Sequence, residues 1–378
     1  MTIDRTAGRR DLAKVPFTDL VSAAGEVWPA MEAEYLSCLR SASYIGGPAV
    51  TAFERDWADY CGVRNAVAVG NGTDALELVL LALGIGSGDE VVVPANTFIA
   101  TPAAVVRAGA SPRFADVSDE TLLLTPLALK AAITPRTRAV IVVHLYGQTP
   151  DMTAIRAVAD EAGIAIIEDA AQAHGAEWNG QRAGSFGIAG CFSFYPAKNL
   201  GAFGDAGAVV TSAQELADRV RMLANHGRSG SHYEHQCIGS NSRMDALQAI
   251  VLRRKLDLLE GWTERRIAAA ARYSHRLGSV NVQLPRAEPY ARHVYHLYVV
   301  RVGRRDQVRE ELMRRGIETG VHYPVPCHLQ PAMKQFADGP LPVTEAAAGE
   351  LLSLPFFPHI TRSQIDRVCD TLRDVLPA

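Results

Sequence analysis

The sequence contains few cysteines, and none is arranged in the short motifs that bind metals. No C-x-x-C pair occurs among the six cysteines, which are Cys38, Cys61, Cys191, Cys237, Cys327 and Cys369. Zinc sites and disulfide frameworks are therefore not expected, and a reducing cytoplasm fits this cysteine usage. We predict that the thiols are small buried hydrophobic groups rather than nucleophiles, and that the protein holds no metal.

Charge of one sign and long apolar segments are also scarce. The formal net charge is −3 for 378 residues, so no basic excess favours nucleic acid or an anionic membrane as a partner. No apolar run approaches the roughly 20 residues that a membrane-spanning helix needs. The first residues, Met1–Arg5, lack the apolar core of a signal peptide. We therefore expect a cytoplasmic protein that binds neither nucleic acid nor membranes.

The best-known phosphate-binding loops are missing as well. The segment Gly70-Asn71-Gly72-Thr73 joins an apolar strand to a helix, but it matches neither G-x-G-x-x-G nor a Walker A loop. This disfavours NAD and ATP as ligands. Backbone N–H groups at a helix N-terminus and the Thr73 hydroxyl can still cradle a phosphate. The alternative is that Thr73 only caps the helix and Gly72 only forms the turn.

Between residues 65 and 211 the sequence alternates short apolar strands with helical segments. Such strands indicate a mostly parallel sheet covered on both faces, so we predict an α/β fold. The predicted strands are Ala66–Val69, Glu90–Pro94, Pro112–Val117, Ala139–Leu145, Ile164–Glu168, Cys191–Tyr195 and Ala208–Thr211. The predicted helices are one from Gly72 through Leu83, and Thr101–Ala108, Pro126–Ala132 and Met152–Ala162. Ligands of such sheets bind beyond the carboxyl ends of the strands.

The length of the chain and its 48% hydrophobic content suggest two domains. We predict a large domain over residues 1–260, with an N-terminal helical segment, and a smaller C-terminal α+β domain over residues 261–378. A long helical region over Ser242–Leu277 precedes the smaller unit. The elements predicted after it are a strand over Tyr295–Val302, a helix over Arg305–Arg315, a strand over Glu318–His322, and helices near Thr344–Ser353 and Arg362–Leu376.

Lys198 is the most informative residue of the chain. It stands in a glycine-flanked turn, Ser193–Gly201, after an apolar strand that leads to Asp169. Pyridoxal 5′-phosphate (PLP) needs this pairing, because an amine forms a Schiff base with it and a carboxylate keeps its pyridine nitrogen protonated. Gln172 could hydrogen-bond the ring hydroxyl. Taken alone, Lys198 could be a solvated surface residue, and Asp169 could be a helix cap or a metal ligand.

Four further side chains are candidates for the same site. Phe98 follows a strand end, where its ring could stack on a planar cofactor or pack in the core. Ser193 could add a contact to a phosphate. Asn241 and Arg243 stand in a polar segment before the long helix, where they could also serve as a helix cap or, for Arg243, form an ion pair with Asp245.

In their order and spacing these segments resemble the fold-type-I PLP enzymes, and among them the sugar-nucleotide aminotransferases of the DegT/StrS type. The resemblance extends from Tyr44 to the final helices and implies the PLP-dependent transferase fold. Its most specific segments are Gly70–Leu76, Glu168–Gln172, Ser193–Lys198, Gly204–Gly207 and Asn241–Asp245. The family's Gly-Asp-Gly-Gly turn has alanine at Ala206 here, a change from which we expect no effect on catalysis.

The resemblance implies roles at the ring of the cofactor. Lys198 would be the Schiff-base lysine and the catalytic base, and Asp169 would pair with the pyridine nitrogen. Gln172 would contact the ring hydroxyl, and Phe98 would stack on the ring. Relatives that replace the lysine with histidine are sugar dehydratases dependent on pyridoxamine phosphate (PMP), so the presence of Lys198 implies transamination.

The resemblance also implies roles at the phosphate of the cofactor. Gly72, Thr73 and Ser193 would hold this group within one chain. An asparagine at the position of Asn241 reaches the phosphate from the neighbouring subunit in this family. A homodimer with shared active sites is therefore expected.

The implied reaction moves the amino group of L-glutamate onto C3 or C4 of a keto-deoxysugar linked to a nucleotide, dTDP or UDP. PLP and PMP would alternate, and the segment Asn241–Gln248 slightly favours 3-keto sugars. Four polar side chains are candidate substrate contacts, namely Arg243, His322, Tyr323 and His328.

Three alternatives stay open at the level of sequence. A PLP enzyme acting on amino acids would clamp the substrate carboxylate with an arginine of the smaller domain, for which Arg292, Arg301 and Arg315 are available. A PMP-dependent dehydratase would remove a sugar hydroxyl without consuming glutamate. A non-catalytic regulator would carry a DNA-binding extension or lack the lysine, and neither holds here.

Overall fold

The structure is a computed structural model that describes residues 14–229 and 233–376. The strands that form in these residues are β1 Asn65–Val69, β2 Glu90–Pro94, β3 Ser111–Ala115, β4 Thr137–Val143, β5 Ala165–Asp169, β6 Glu177–Trp178, β7 Gln181–Arg182, β8 Ala189–Ser193, β9 Gly207–Thr211, β10 Ala291–Arg292, β11 Tyr298–Arg301 and β12 Leu351–Leu354. Each of the seven strands predicted between residues 65 and 211 is present, with ends that shift by at most two residues and with Glu90–Pro94 unchanged.

The α-helices of the same residues are longest at the start and in the middle of the chain. They are α1 Leu20–Ser41, α2 Pro48–Cys61, α3 Gly72–Ala82, α4 Ala100–Arg107, α5 Pro126–Ala132, α6 Met152–Ala162, α7 Gln214–Ala224, α8 Ala246–Leu277, α9 Arg305–Arg314, α10 Pro342–Ala348 and α11 Arg362–Val375. No helix in the described residues is both long and apolar enough to cross a membrane.

A seven-stranded sheet forms the centre of the molecule, in the order β1-β9-β8-β5-β4-β2-β3. Strands β8, β5, β4, β2 and β3 pair in parallel, while β9 runs antiparallel to both of its neighbours. The predicted mostly parallel sheet is thus confirmed, with β9 as its one reversed strand. The carboxyl ends of the other six strands meet at one edge, where such sheets bind their ligands.

The sheet is buried on both faces because its central strands carry unbroken apolar runs, such as residues 91–93 in β2 and residues 139–143 in β4. In β4, Ala139, Ile141 and Val143 pack into a core with α3, α4 and α7. Val140 and Val142, which alternate with them, pack into a second core with α5 and α6 on the opposite face. This two-sided burial explains why these strands are apolar throughout rather than at every second residue.

The C-terminal part of the chain differs from the predictions in two places. The segment predicted as a strand over Glu318–His322 forms only one β-bridge, between Gly320 and Ser353. The helix predicted near Thr344–Ser353 ends at Ala348, and Leu351–Leu354 is instead the strand β12, which pairs with β11. An available partner strand overrides local helical preference, because strand formation depends on cross-strand packing.

Helix α8 is continuous over 32 residues and passes through residue 260. Its first half packs against α1 and α2, and its second half packs with α11. A separate apolar core is formed by residues from the end of α8 and from β11, β12, α9 and α11. The division of the chain at residue 260 into two domains stays a prediction.

Candidate active site

A cavity of about 660 Å³ opens at the carboxyl edge of the central sheet. Its wall includes segments at the carboxyl ends of β1, β2, β4, β5 and β8, and three segments of the C-terminal part, at residues 296–297, 322–323 and 356. Nine residues that the sequence singled out line it, namely Gly72, Thr73, Phe98, Asp169, Gln172, Ser193, Lys198, His322 and Tyr323. Residues that are far apart in the chain are therefore brought together at one site.

One end of the cavity is the start of helix α3. Asn71 caps this helix, because its side-chain Oδ1 accepts a hydrogen bond of 2.9 Å from the Asp74 N–H. A Cβ atom placed on Gly72 would stand 2.7 Å from the Cβ of Ser193, so no larger residue fits there. Gly72 and Thr73, the first residues of the helix, line the cavity together with Ser193, and a helix N-terminus is a favourable position for a phosphate.

Asp169 and Glu168 end strand β5 and point to opposite faces, as successive strand residues do. Glu168 is fully buried and accepts hydrogen bonds from the N–H groups of Gly184, Phe186 and Gly187. Asp169 lines the cavity and accepts a 2.7 Å hydrogen bond from the Thr101 hydroxyl. Within the described residues Asp169 has no ion-pair partner, so its carboxylate can bind a cationic N–H group in the cavity.

Lys198 lies in a tight turn, in which its own N–H donates to the Tyr195 carbonyl at 2.8 Å. A Cβ atom at Gly201 would stand 2.2 Å from the Pro196 carbonyl oxygen, so the turn requires a glycine there. Burial lowers the pKa of Lys198 to about 8, although the nearby negative charge of Asp169 opposes this shift. A substantial fraction of the amine is therefore neutral, and hence nucleophilic and basic, near pH 7 to 8.

Gln172 is oriented by two contacts. Its Oε1 accepts a 2.7 Å hydrogen bond from the Tyr146 N–H, so its amide NH₂ group points the other way, to the Tyr323 hydroxyl at 3.3 Å. Tyr323 also meets Phe98, whose ring lies 5.4 Å from the tyrosine ring between centroids. Phe98 is half exposed in this wall, with 50% of its surface accessible, and so presents a free ring face.

The structure does not bring every candidate residue to the cavity of its own chain. Asn241 and Arg243 are exposed and bond to each other, with Arg243 Nε donating to Asn241 Oδ1 at 2.9 Å. His328 is almost fully buried outside the cavity, where its Nε2 lies 3.0 Å from Glu345. A buried ring that is already bonded to a carboxylate cannot reach a ligand in this cavity.

The sequence interpretation missed three residues of the site. Thr101 holds the Asp169 carboxylate, Tyr146 orients Gln172, and His296 lines the cavity wall. The position of Tyr146 after a strand end was the one available signal. Thr101 lies inside a helix, and His296 comes from a segment about 100 residues after Lys198, so neither stands in a recognisable motif.

These features fit PLP. The glycine cradle at Gly72 accepts a phosphate, and Asp169 offers a buried carboxylate for the pyridine N–H. The Lys198 amine, between these two ends, makes no hydrogen bond within the described part of the chain. An anion site, a carboxylate and a lysine of lowered pKa in one cavity are the groups that PLP chemistry requires. The fold and the site thus define a PLP-dependent transferase.

Comparison with known proteins identifies the family. Residues 29–373 match the DegT/DnrJ/EryC1/StrS aminotransferase family. The chain belongs to this family, and the resemblance that the sequence motifs indicated is confirmed. The protein is accordingly a PLP-dependent aminotransferase of fold type I.

Individual relatives agree with this assignment. The chain is 47% identical over 371 residues to a dTDP-3-amino-3,4,6-trideoxy-alpha-D-glucose transaminase of Streptomyces venezuelae, across 97% of this chain and 98% of the relative. It matches the crystal structure of S. venezuelae DesV in complex with a ketimine intermediate with a TM-score of 0.93 and 48% identity, covering 96% of this chain and 98% of that chain. The crystal structure of NtdA from Bacillus subtilis with bound cofactor PMP matches with a TM-score of 0.88 and 33% identity, covering 97% of this chain and 86% of that chain.

Proposed function

We propose that the protein moves the amino group of L-glutamate onto C3 of a dTDP-linked keto-deoxysugar and so makes an amino sugar. The observation that carries the proposal is the Lys198 amine, which faces the cavity that also contains Asp169 and the start of α3. The sugar and its nucleotide are taken from the S. venezuelae transaminase, to which the chain is similar over nearly its whole length. C4 amination and a UDP-linked sugar are the competing outcomes.

PLP, when bound, would supply an aldehyde that can carry an amino group from one substrate to another and a ring that withdraws electrons from the reacting carbon. The Asp169 carboxylate holds a proton on the pyridine nitrogen, because a buried anion stabilises a neighbouring cationic N–H. The Gln172 NH₂ group donates to the ring hydroxyl, in the orientation that Tyr146 imposes. Phe98 covers one face of the ring.

The phosphate is held by Gly72, Thr73 and Ser193. Gly72 and Thr73 at the start of α3 line the cavity together with Ser193, and the positive end of the helix dipole would favour a dianion there. Lys198 acts as the base that moves a proton from the substrate carbon, since an amine with a pKa of about 8 is partly neutral at physiological pH.

A homodimer completes the site in this proposal. Asn241 and Arg243 are exposed on a segment that lies outside the cavity of its own chain. In a dimer, this segment would enter the partner's cavity, where Asn241 would contact the phosphate and Arg243 the anionic substrate. The exposed apolar groups on α1, Val21 and Trp28, offer surface that a partner would cover.

Substrate contacts within the chain are assigned to His322 and Tyr323. Both line the cavity, and the His322 ring is fixed with Nδ1 2.8 Å from the Ser353 hydroxyl. Burial and the charge of Lys198 lower the pKa of His322 to about 4, so it meets the sugar as a neutral group. His328 has no part in this assignment because of its position at Glu345.

An enzyme specific for amino acids is disfavoured by the arginines of the C-terminal part. Arg292, Arg301 and Arg315 are each bound to carboxylates of neighbouring side chains, and none of them lines the cavity. Arg107 does line the cavity, but its guanidinium contacts Glu77 at 2.7 Å. A carboxylate clamp of the kind that amino-acid transaminases use is therefore not formed by the three candidates.

The location and the division of the chain are part of the same proposal. Cytoplasmic location is supported by the six free cysteines, four of which are nearly fully buried. The two-domain division near residue 260 is supported by the separate apolar core of the C-terminal part.

The proposal is tested with the purified protein loaded with PLP. Adding L-glutamate is expected to shift the absorbance of the cofactor and release 2-oxoglutarate. Adding a dTDP-linked 3-keto-6-deoxysugar should then restore the absorbance that the cofactor had before L-glutamate was added. The mass of the product should show an amino group in place of the keto oxygen. Lys198→Ala serves as the inactive control.

Each alternative predicts a different result. Turnover with a 4-keto or UDP-linked sugar alone would replace the acceptor named here. Loss of a sugar hydroxyl without consumption of glutamate would indicate a dehydratase. Amino transfer between amino and keto acids, with no sugar accepted, would indicate an amino-acid transaminase.

A further inference from the structure

The cavity wall contains a histidine to which the proposed function gives no task. His296 lies two residues before β11, is 9% exposed, and lines the same cavity as Lys198. Its backbone is fixed on both sides, since its N–H donates to the Tyr146 carbonyl at 2.8 Å and its carbonyl accepts from Arg266 Nη1 at 3.4 Å. The backbone from which the imidazole extends is therefore held in place before any ligand binds.

The tautomer of His296 follows from its neighbour Asn199. The Asn199 Nδ2 group donates to the Val294 carbonyl at 3.2 Å, and a carbonyl can only accept, so Oδ1 is the amide atom that faces the ring. His296 Nδ1 lies 3.3 Å from this oxygen and must carry the proton. The other ring nitrogen, Nε2, is then a hydrogen-bond acceptor, and it has no partner in the described residues.

The imidazole also stays neutral. Burial is the main reason that the pKa of His296 lies well below its ordinary value, and the positive charges of Lys198 and Arg266 lower it further. A neutral ring with a protonated Nδ1 keeps its Nε2 lone pair available throughout the neutral pH range.

The donor that this acceptor fits is the Lys198 amine. Asn199, which fixes the ring, is the next residue after Lys198, so the ring and the amine are tied to one turn. Lys198 has a buried ammonium or amine group with no hydrogen-bond partner in the described residues, and such a group gains from any acceptor within reach. We propose that His296 is a positioning residue, which accepts a hydrogen bond from Lys198 Nζ through Nε2 and aims the free amine at the reacting carbon.

This inference rests on the proposed function, since it concerns the stage at which Lys198 is free to carry a proton. A lysine side chain has four rotatable bonds and would otherwise sample many positions. An acceptor at a fixed place reduces that freedom and keeps the amine in the cavity. Misplacement by about 1 Å is enough to reduce a rate by about a hundredfold.

The test compares three variants with the wild-type protein. His296→Phe removes the acceptor and retains an aromatic ring, and His296→Gln restores an acceptor oxygen. His293→Gln is the matched control, because His293 is an equally buried histidine three residues away whose pKa burial also lowers, to about 3, yet it does not line this cavity. His296→Leu takes the place of His296→Phe if the latter does not fold, as judged by thermal unfolding of the apo protein.

Two readouts are measured for each variant. The first is the rate at which the apo protein takes up PLP, followed by absorbance without any substrate. The second is the separation of kcat from KM for both substrates. We expect His296→Phe to slow PLP uptake and kcat by about tenfold or more, with KM within about twofold of wild type. His296→Gln should recover part of both rates, and His293→Gln should match wild type.

Three results would overturn the inference. Wild-type uptake and kcat in His296→Phe would show that the amine needs no such acceptor. A raised KM for the sugar at unchanged uptake would show that Nε2 binds substrate instead. An equal decrease of the PLP uptake rate and kcat in His293→Gln would show that replacing any buried histidine of this region has the same effect. A wild-type protein that takes up no PLP would instead contradict the proposed function itself, so the two failures are distinguishable.

Discussion

The two ends of the proposed site are built in different ways. At the enclosed end, Asp169 and Gln172 are buried among residues of their own chain, Lys198 is half-buried beside them, and Thr101 and Tyr146 fix Asp169 and Gln172 by hydrogen bonds. The second region, residues 233–245, carries Asn241 and Arg243 on the surface, outside the cavity of its chain. It also exposes Ile238, with 95% of its surface accessible. The first region is organised within one chain, whereas the second has its groups displayed outward.

The comparison separates the properties that the fold of one chain determines from those that would require a second chain. Burial shifts the pKa of Lys198 and neutralises the histidines around it, and these effects need only the surrounding fold. The residues of the exposed segment lie in contact with solvent, and in the proposed homodimer the partner's surface would bury them. The predictions below alter one region at a time, beginning with the largest expected effect.

Lys198→Ala should remove all transamination above background. The enclosed end would lose its only cavity-lining lysine, and no other residue of the described cavity wall carries an amine. The release of 2-oxoglutarate from L-glutamate measures the loss, and the far-UV circular dichroism should be unchanged. Lys334→Ala, at an exposed lysine, is the control. Residual turnover above one hundredth of wild type would contradict the role of Lys198.

Asp169→Asn should reduce kcat by about a hundredfold or more, because a neutral amide no longer stabilises the proton on the ring. The substitution preserves the shape of the side chain, so PLP should still bind. The ratio of kcat for variant and wild type is the measurement. Asp160→Asn, at an exposed aspartate on α6, should be silent. A wild-type rate in Asp169→Asn would mean that another group protonates the ring.

Asn241→Ala should weaken the retention of PLP by about tenfold, the effect of one hydrogen bond to a charged group. A mixed dimer of Asn241→Ala and Lys198→Ala chains should regain one working site of two, because one site then combines Lys198 and Asn241 from different chains. Activity of the purified mixed dimer is compared with that of each variant alone. Without complementation, Asn241 would act within its own chain or have no role in the site.

Stability of the apo protein should depend on pH through Lys198. Its pKa is 10.5 in the unfolded chain and about 8 in the folded protein, so the unfolded chain binds more protons between these values. Stability therefore rises as pH increases from about 8 to 10.5, and the full cost of burying the charge is present below pH 8. Lys198→Met removes this cost and should raise the free energy of unfolding by about 2 kcal/mol at pH 7.

Denaturant unfolding of the apo forms at pH 7 and pH 10 checks this dependence. The advantage of Lys198→Met should shrink at the higher pH, while Lys334→Met should show no change between the two. An advantage of equal size at both pH values would mean that packing, rather than charge, accounts for it.

The smallest effect is expected at His328. His328→Leu should leave kcat and KM within about twofold of wild type, since the ring lies outside the cavity, but should lower the free energy of unfolding by about 1 kcal/mol through the lost bond to Glu345. His322→Leu, which changes a cavity residue, should raise KM for the sugar. Steady-state kinetics of both variants separate the two histidines, and a KM effect at His328 would place it in the substrate site after all.

Much of the enclosed end could be predicted because its residues follow strand ends. The strand β5 and the turn around Lys198 have distinct sequence patterns, and a parallel sheet brings their carboxyl ends to one edge. Thr101, Tyr146 and His296 could not be predicted in this way. Their functions depend on which side chain or backbone group they meet, and these contacts join segments from about 25 to 100 residues apart.

The C-terminal part was harder to predict for a related reason. The residues Leu351–Leu354 have a helical neighbourhood in the sequence, and they become strand β12 only because β11 is available to pair with them. The segment at His322 likewise takes its place through contacts with Ser353 and Tyr146 rather than through a strand of its own.

The sequence by itself determined the class of fold, the cofactor and the pairing of Lys198 with Asp169 in one cavity, because apolar periodicity and strand-end motifs are local properties. Only the tertiary structure decided the lowered pKa of Lys198, the orientation of Gln172, the neutral acceptor on His296 and the position of His328 outside the cavity. These properties arise from burial and from hydrogen bonds between distant segments, and neither exists until the chain has folded.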